Sequence, residues 1–542
     1  MRGMAARSGC TSRSAEQTCP LRSFYAKKRS FAANVVDEWF RVEEILLDRR
    51  SHIFDYLQPA VVREQFSSEC SGRNSSSPKS IMPPSLVLSI WLVSLLALFW
   101  FDPAREQNVS AALWVPVIWF FFIASRSPTA WLGLSDGSNL GQSLEDGSPL
   151  DRTIYSLFIL MAFAILASRS FQWGKFVSQN PALVLFLAYA LLSVAWSDFP
   201  LPTFKKWFRD SGIYMAVLLI LTDRNRLDAV RTVLRRLYYL TMPLSIVLVK
   251  YYPNLGETFS VWGDREYTGV STSKNSLGLL CLASGIFFFW DITTRWNQRR
   301  DKRAKRVILV NIAFIGMALY LLHLCGSKTS TVCLILGSLM IVAAHSNFGG
   351  RHISWIKAMA PGFFLLYLIL NVGFGLGAEM SEAVGGNANM SDRTRIWQVL
   401  LSVPINPVLG CGYQSFWLGW RIAWIWSRLT GDSVFEAHNG YLQTYLDLGL
   451  IGLCLVCTFL IATYRKICRQ LKPITPLVSL SLGLWSLMLL YNVTEAALGG
   501  GLLWFTLLMA SMTVPERAKL RAHAPSPLAL RKTLIPKVVA DQ

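Results

Sequence analysis

The feature that most restricts this chain is a series of long apolar runs with little charge inside them. The hydrocarbon core of a bilayer, about 30 Å thick, is crossed by a helix of about 20 apolar residues, with a working range of about 17–25. Runs of this kind fall at approximately 85–101, 109–125, 153–168, 181–196, 207–222, 237–252, 276–292, 307–324, 329–344, 356–372, 447–464, 476–491 and 498–514. They are unbroken rather than alternating, so helices, not strands of a barrel, are the spanning form. Composition agrees. Of 542 residues 52% are hydrophobic and only 16% charged, against roughly 25% charged in an ordinary soluble chain. The expectation is an all-α integral membrane protein with about 12–14 transmembrane helices.

The net charge of +20 sits in short clusters between apolar runs. This is the pattern of basic loops at a membrane surface and not of a nucleic-acid-binding face. Arg224, Arg226, Arg231, Arg235 and Arg236 precede the sixth run, and Arg295, Arg299, Arg300, Lys302, Arg303, Lys305 and Arg306 separate the seventh from the eighth. Lys466, Arg469 and Lys472 follow the eleventh, and Arg517, Lys519, Arg521, Arg531 and Lys532 lie in the C-terminal tail. With thirteen spans all four clusters fall on one side, expected to be cytoplasmic. The ten cysteines have no repeating spacing and indicate neither a disulfide framework nor a zinc domain.

The expected organisation is an N-terminal tail over 1–84, transmembrane helices 1–10 over 85–372, a periplasmic catalytic loop over 373–446, helices 11–13 over 447–514, and a basic cytoplasmic tail over 515–542. The loop carries Trp397, Trp417, Trp420, Trp424 and Trp426. Long loops in compact domains tend to be functional or disordered, and this composition is not that of a disordered linker. It is read as a folded, partly helical cap. The N-terminal segment has Ser-rich stretches, one amphipathic stretch near 35–47 and no signal-peptide order. In a thirteen-span arrangement this basic segment would have to cross the membrane, so Met82 is the expected start.

Polar groups gathered at the outer face are functional candidates. Lys274 and Lys328 each stand at the start of an apolar run, where first-turn amides and a cation make an anion site. Arg393 and Arg395 present guanidinium forks suited to phosphate oxygens. Cations at span ends also snorkel to the interface for purely structural reasons, Lys205 and Lys206 above all. Of six histidines, only His323 and His438 lie near the outer face, and His323 is inside a run. His438 is therefore the loop candidate for a general base. Glu495, at the end of the twelfth run, is either a cap acid or the orienter of a cation. Gly326-Ser327-Lys328-Thr329 lacks the spacing of a phosphate loop, Cys454 and Cys457 have no metal-ligand partners, and Asn492-Val493-Thr494 is a sequon by pattern alone.

Taken in order, the strings GVSTSKNSLG (269–278), SKTS (327–330), SDRTRIW (391–397) and EAHNGYLQTYLDLGLIGL (436–453) resemble the O-antigen ligase/polymerase family. WSDFPLPTFKKWFRD (196–210) and YNVTE (491–495) extend the likeness over roughly 85–515. SKTS, HNGYLQ and SRSPTAWL (125–132) are most similar to the ExoQ-type exopolysaccharide production proteins. The resemblance implies a metal-independent membrane glycosyltransferase, similar to the GT-C class, in the bacterial inner membrane with its active site facing the periplasm. It takes glycan from undecaprenyl pyrophosphate and needs no cofactor. Residue by residue it implies that Arg265 and Arg393 bind the pyrophosphate, with Lys328 where many ligases have Arg, and that His438 is the base or positions the acceptor. Lys274 and Arg395 join the expected pyrophosphate set from their own chemistry. Asn275, Asn439, Glu495 and Lys205 are expected to support the site, and no residue is expected to bind metal.

The expected function is polymerisation of lipid-linked repeat units into exopolysaccharide, with inversion at the anomeric carbon. The alternatives are an O-antigen ligase using lipid A core as acceptor and, from another class, a lipid-linked oligosaccharide transporter. A transporter would place its ionisable groups near the midplane within internal repeats, whereas here they gather at one face and in one loop. The expected partners are an undecaprenyl-pyrophosphate-linked oligosaccharide, the bilayer, a flippase and a chain-length regulator, and not nucleic acid.

Overall fold

The computed structural model describes residues 82–100, 109–134, 147–260, 263–346, 351–369, 389–429, 434–472 and 474–515. They belong to one compact unit that begins at Met82. Nearly all of the expected N-terminal tail, with its stretch near 35–47, lies outside the described residues, as do 373–388 of the loop and 516–542 of the basic tail.

The described part of each apolar run read in the sequence falls largely on a helix. In chain order these are α1 Pro84–Trp100, α2 Trp114–Ala124, α3 Pro149–Ser168, α4 Trp173–Gln179, α5 Pro181–Leu192, α6 Pro200–Leu221, α7 Arg226–Tyr251, α8 Lys274–Arg295, α9 Lys302–Cys325, α10 Lys328–His345 and α11 Ile353–Leu368. Two helices of the cap follow, α12 Asn389–Ser402 and α13 Trp420–Arg428, then α14 Gly440–Arg469, α15 Pro476–Thr494 and α16 Gly501–Ser511. The protein is a multi-pass, mostly helical membrane protein.

The expected count of 12–14 spans meets a physical limit. Among the described residues seven helices are long and apolar enough to cross a bilayer, or eight if α4 and the segment beginning with α5, bent by 101°, form one broken span. Helices α1, α2, α11 and α16 are apolar but short. The 11 residues of α16 cover about 16 Å at 1.5 Å per residue, well under the hydrocarbon thickness. Helix α6 is long enough, but Lys205, Lys206, Arg209 and Asp210 occupy its first half.

Local signals set the helix ends. Ser273, Asn225, Asp301, Asn439 and Thr475 cap α8, α7, α9, α14 and α15 by accepting bonds from first-turn amides, and Pro476 fits the first turn of α15, which lacks intrahelical acceptors. Gly326 closes α9 in the left-handed region, φ 61°, so the Gly-Ser-Lys-Thr string is a corner between α9 and α10.

Helices α8 and α14 begin at the end that holds Lys274 and Gly440 and finish at Arg295 and Arg469. That second, basic end is pinned by buried charge. Asp291 of α8 receives Arg235 at 3.0 Å, Arg231 at 3.0 Å and Arg295 at 3.0 Å, and Asn311 of α9 at 2.9 Å. The Asp291 and Arg235 side chains are 0% exposed.

At the other end the cap has its own apolar core, with Ile396, Leu400, Val403, Phe416 and Ile425 buried among Trp397, Trp417, Trp424 and Trp426. Arg421, 2% exposed, donates within the cap to the carbonyls of Phe416 at 3.0 Å and Ser415 at 2.9 Å, and fastens the cap to the segment before α6 by an ion pair with Asp198. Helix α14 starts seven residues before the expected 447, because Asn439 initiates it in a stretch where Gln443, Thr444 and Asp447 dilute the apolar signal.

The cap is also laced to α14 through backbone. Gly449 interrupts that helix with φ 64° and ψ −167°, and the freed groups bond the cap: Leu450 N–H donates to Pro407 O at 2.9 Å and Gly412 N–H to Asp447 O at 2.8 Å. A Cβ at Gly449 would stand 2.2 Å from Val408 O. Gly449→Ala is therefore expected to cost about 3 kcal/mol or more, since the left-handed φ and the clash with backbone add. Thermal unfolding in detergent measures this. Gly316→Ala in α9, with nothing within 4 Å of the added methyl, is the control expected to leave the midpoint unchanged or slightly raised.

Candidate functional site

The segment before α14 brings Glu436 and His438 against Glu495, which follows the last residue of α15. Ligand atoms of all three lie within 4.8 Å of one another. His438 Nδ1 is 3.2 Å from Glu436 Oε1 and 3.3 Å from Glu495 Oε2. The local chain makes this geometry. Trp397 of the cap donates from Nε1 to Ala437 O at 2.8 Å, Gly440 N–H donates to Glu495 O at 3.0 Å, and Asn439 takes the amides of Tyr441 and Leu442. His438 itself has φ 45°, a left-handed backbone that a non-glycine residue adopts at some energetic cost and that recurs at functional sites. Gly440 is required by close approach: a Cβ there would meet Asn492 Oδ1 at 2.0 Å.

Glu495 is fixed from its other side. Arg393 of α12 donates to Glu495 Oε1 at 2.9 Å and to Thr494 O at 2.6 Å, and Asn275 donates to Glu495 Oε2 at 3.3 Å. The Glu495 side chain is 7% exposed, His438 25% and Glu436 46%. Burial disfavours the imidazolium, but the hydrogen bond to Glu495 and the two carboxylates outweigh it, so the His438 pKa is raised despite an opposing push from Arg393. The Glu436 carboxyl is also raised, by burial foremost and by Glu495 beside it, against the pull of His438.

Several expected site residues converge. Arg393, His438, Glu495 and Asn275 meet directly, and Asn439 supports them as the helix cap. Thr329, which follows Lys328, has its hydroxyl 3.1 Å from that of Thr494, so Lys328 opens α10 beside this cluster. Lys274 is the first residue of α8, and Arg265 belongs to the hairpin leading into that helix. There Glu257–Phe259 (β1) and Arg265–Tyr267 (β2) pair antiparallel, Phe259 opposite Arg265. Arg395 is exposed on α12 and points one amino group toward Arg428 O at 3.5 Å. Lys205 lies on α6.

The charge pattern differs from the expected row of cations in one respect. Lys274 meets Glu266 at 2.6 Å, Arg265 meets Glu257 at 3.5 Å, and Arg393 meets Glu495. Each of these cations has a carboxylate partner, so taking up a diphosphate means exchanging partners. Glu495 resolves both ways at once: it is the C-cap residue of α15 and the acid that holds Arg393. Glu436, Glu266 and Glu257 are the participants missed in the sequence; the first was signalled by its place two residues before His438. Asn492 is fully buried, with Nδ2 donating to Met488 O at 2.7 Å, so the sequon is not an accessible acceptor.

Glu436, His438 and Glu495 form a donor set that could hold a metal ion. Arg393 and Asn275 already engage both oxygens of Glu495, which puts a guanidinium where a cation would otherwise neutralise it. Chemically the arrangement is a carboxylate-held imidazole: with Nδ1–H directed at the glutamates, Nε2 is left to accept a proton.

The fold and this cluster together define a polytopic membrane protein with a histidine–carboxylate site under a folded cap. Residues 269–457 match the O-antigen ligase family (Wzy_C). Over a wider stretch the chain is a distant relative of the exopolysaccharide production protein ExoQ of Rhizobium meliloti (strain 1021), 23% identical over 373 residues, covering 62% of this chain and 77% of that one. The family match begins just after the hairpin and Arg265, takes in α8 to α11, the described cap and His438, and stops short of Glu495.

Proposed function

We propose that this protein is a membrane glycosyltransferase that polymerises undecaprenyl-pyrophosphate-linked oligosaccharides into exopolysaccharide at the periplasmic face of the inner membrane. One observation carries the reading: His438 presents Nδ1 to two carboxylates, one of them locked by Arg393, leaving Nε2 to take the proton of an attacking sugar hydroxyl. The hydroxyl oxygen attacks the anomeric carbon of the donor from the face opposite the diphosphate, the carbon–oxygen bond to the diphosphate breaks, and configuration inverts. Undecaprenyl pyrophosphate leaves as charge gathers on its bridging oxygen. Preorganised cations act at that point, and Lys328, Lys274, Arg265, Arg393 and Arg395 are the candidates around the cluster. The distant kinship to a protein of exopolysaccharide production supports the polymer as product; a flippase and a chain-length regulator are the partners such a pathway needs.

Purified protein given a synthetic undecaprenyl-pyrophosphate oligosaccharide is expected to extend it in the presence of EDTA. Extension that stops with EDTA and returns with a divalent cation would transfer the Glu436–His438–Glu495 set from proton transfer to metal binding. In cells, a deletion strain is expected to lose high-mass exopolysaccharide and keep normal lipopolysaccharide; the reverse pattern would identify a ligase.

A further inference from the structure

At the basic end of the bundle, far from His438, a cavity of about 210 Å³ opens between α7, α14, α15 and α16. Lys466 lines it, 17 residues along α14 from the break at Gly449, or about 25 Å at helical rise. Leu477, Leu484 and Met509 are among the apolar residues of its wall, and Thr475 and Arg226 also face it. Among the described residues no carboxylate lines it. Arg226 donates to Val514 O at 2.7 Å and Lys466 to Ser511 O at 2.6 Å, so both cations sit at the C-terminal end of α16.

Part of this is ordinary helix chemistry. The last carbonyls of a helix carry about half a negative charge and attract cations. Half a charge does not balance two, however, and the cavity brings two cations together with no acid among its described lining residues. A third element adds to the excess. The N-cap Thr475 and residues 477 and 478 of the 19-residue α15 line the same cavity; Thr475 takes the Val478 amide, and the helix dipole leaves positive potential at this end. Two cations and a helix N-terminus above an apolar wall match an anion attached to hydrocarbon.

We infer that this cavity binds the phosphate head group of an acidic phospholipid, with the acyl chains leaving along the apolar wall into the bilayer. The bound lipid neutralises Arg226 and Lys466 and bridges α7, α14, α15 and α16, which all line the cavity. The site does not depend on the glycosyltransferase reading, since it shares no residue with the His438 cluster.

Native mass spectrometry of the full-length protein, extracted from nanodiscs of phosphatidylglycerol and phosphatidylethanolamine, tests this. Wild-type protein is expected to retain phosphatidylglycerol in preference to phosphatidylethanolamine. Each basic residue at a membrane surface strengthens binding to acidic lipid about fivefold, so R226Q/K466Q is expected to weaken retention about thirtyfold. R226K/K466R keeps both charges and is expected to retain the lipid. Ala510→Phe, which fills the cavity with both cations in place, is expected to lose it; this variant carries the test should the glutamine variant fail to fold. Equal retention of the two lipids, equal retention by wild type and both disruptive variants, or full displacement by millimolar inorganic phosphate would overturn the assignment, the last by showing a site for free anion.

Discussion

Replacing His438 with Ala is expected to lower glycan polymerisation in membranes by about 10²–10⁴-fold at equal protein level, the usual contribution of a positioned general base. The measurement is the rate of appearance of extended lipid-linked glycan. Full polymerisation by this variant would remove His438 as the base. The pH profile gives a finer reading. His438 acts as base only when neutral, and its pKa is raised above the ordinary 6.5 because Glu495 and Glu436 outweigh burial. The rate should therefore climb with pH through that raised value. Glu495→Gln removes one of the charges that favour the imidazolium, so the acid limb is expected to move to lower pH while the maximal rate falls. An unmoved limb would show that Glu495 is not coupled to the titrating group. The same pair affects stability with the opposite sign. A cation whose pKa rises on folding contributes stability that is fully present below the unfolded value and is lost as pH rises through the folded one.

Replacing Asp291 with Ala is expected to destabilise the bundle by about 3–5 kcal/mol, because it leaves buried arginines without their counter-ion. Arg235 and Asp291 have no solvent exposure, and Arg231 and Arg295 converge on the same carboxylate. The expected result is a large fall in the thermal midpoint in detergent, or loss of folded protein from membranes. Asp291→Asn keeps the shape but not the charge and should recover only part of the loss. Restoring stability by removing Arg235 in the same chain would identify unpaired charge as the cause; no restoration would place the effect in packing. This network lies at the end of α8 opposite the His438 cluster, so a variant that folds is expected to retain polymerisation per folded molecule.

The sequence by itself determined a great deal. Runs of apolar residues fixed where helices form, because backbone groups in lipid must be satisfied within the segment and only a helix does so locally. Caps such as Ser273 and Thr475 fixed where several begin. His438, Arg393 and Glu495 could be singled out because ionisable side chains at the edge of apolar segments are costly to keep. Span number was less legible: hydropathy reports apolar content, while the distance a helix covers depends on where its ends are tied, as the short α16 and the early start of α14 show.

Only the tertiary structure decided which charges meet. Glu495 and His438 are 57 residues apart, and Arg393 is 102 residues from Glu495; no local pattern encodes those pairings. Arg265, Lys274 and Arg393 look like bare cations in the sequence, and each has a carboxylate partner in the fold. The physical reason is reach. Secondary structure and burial follow from neighbours a few residues away, but an electrostatic site depends on distances of 3–4 Å between side chains that only packed helices bring together.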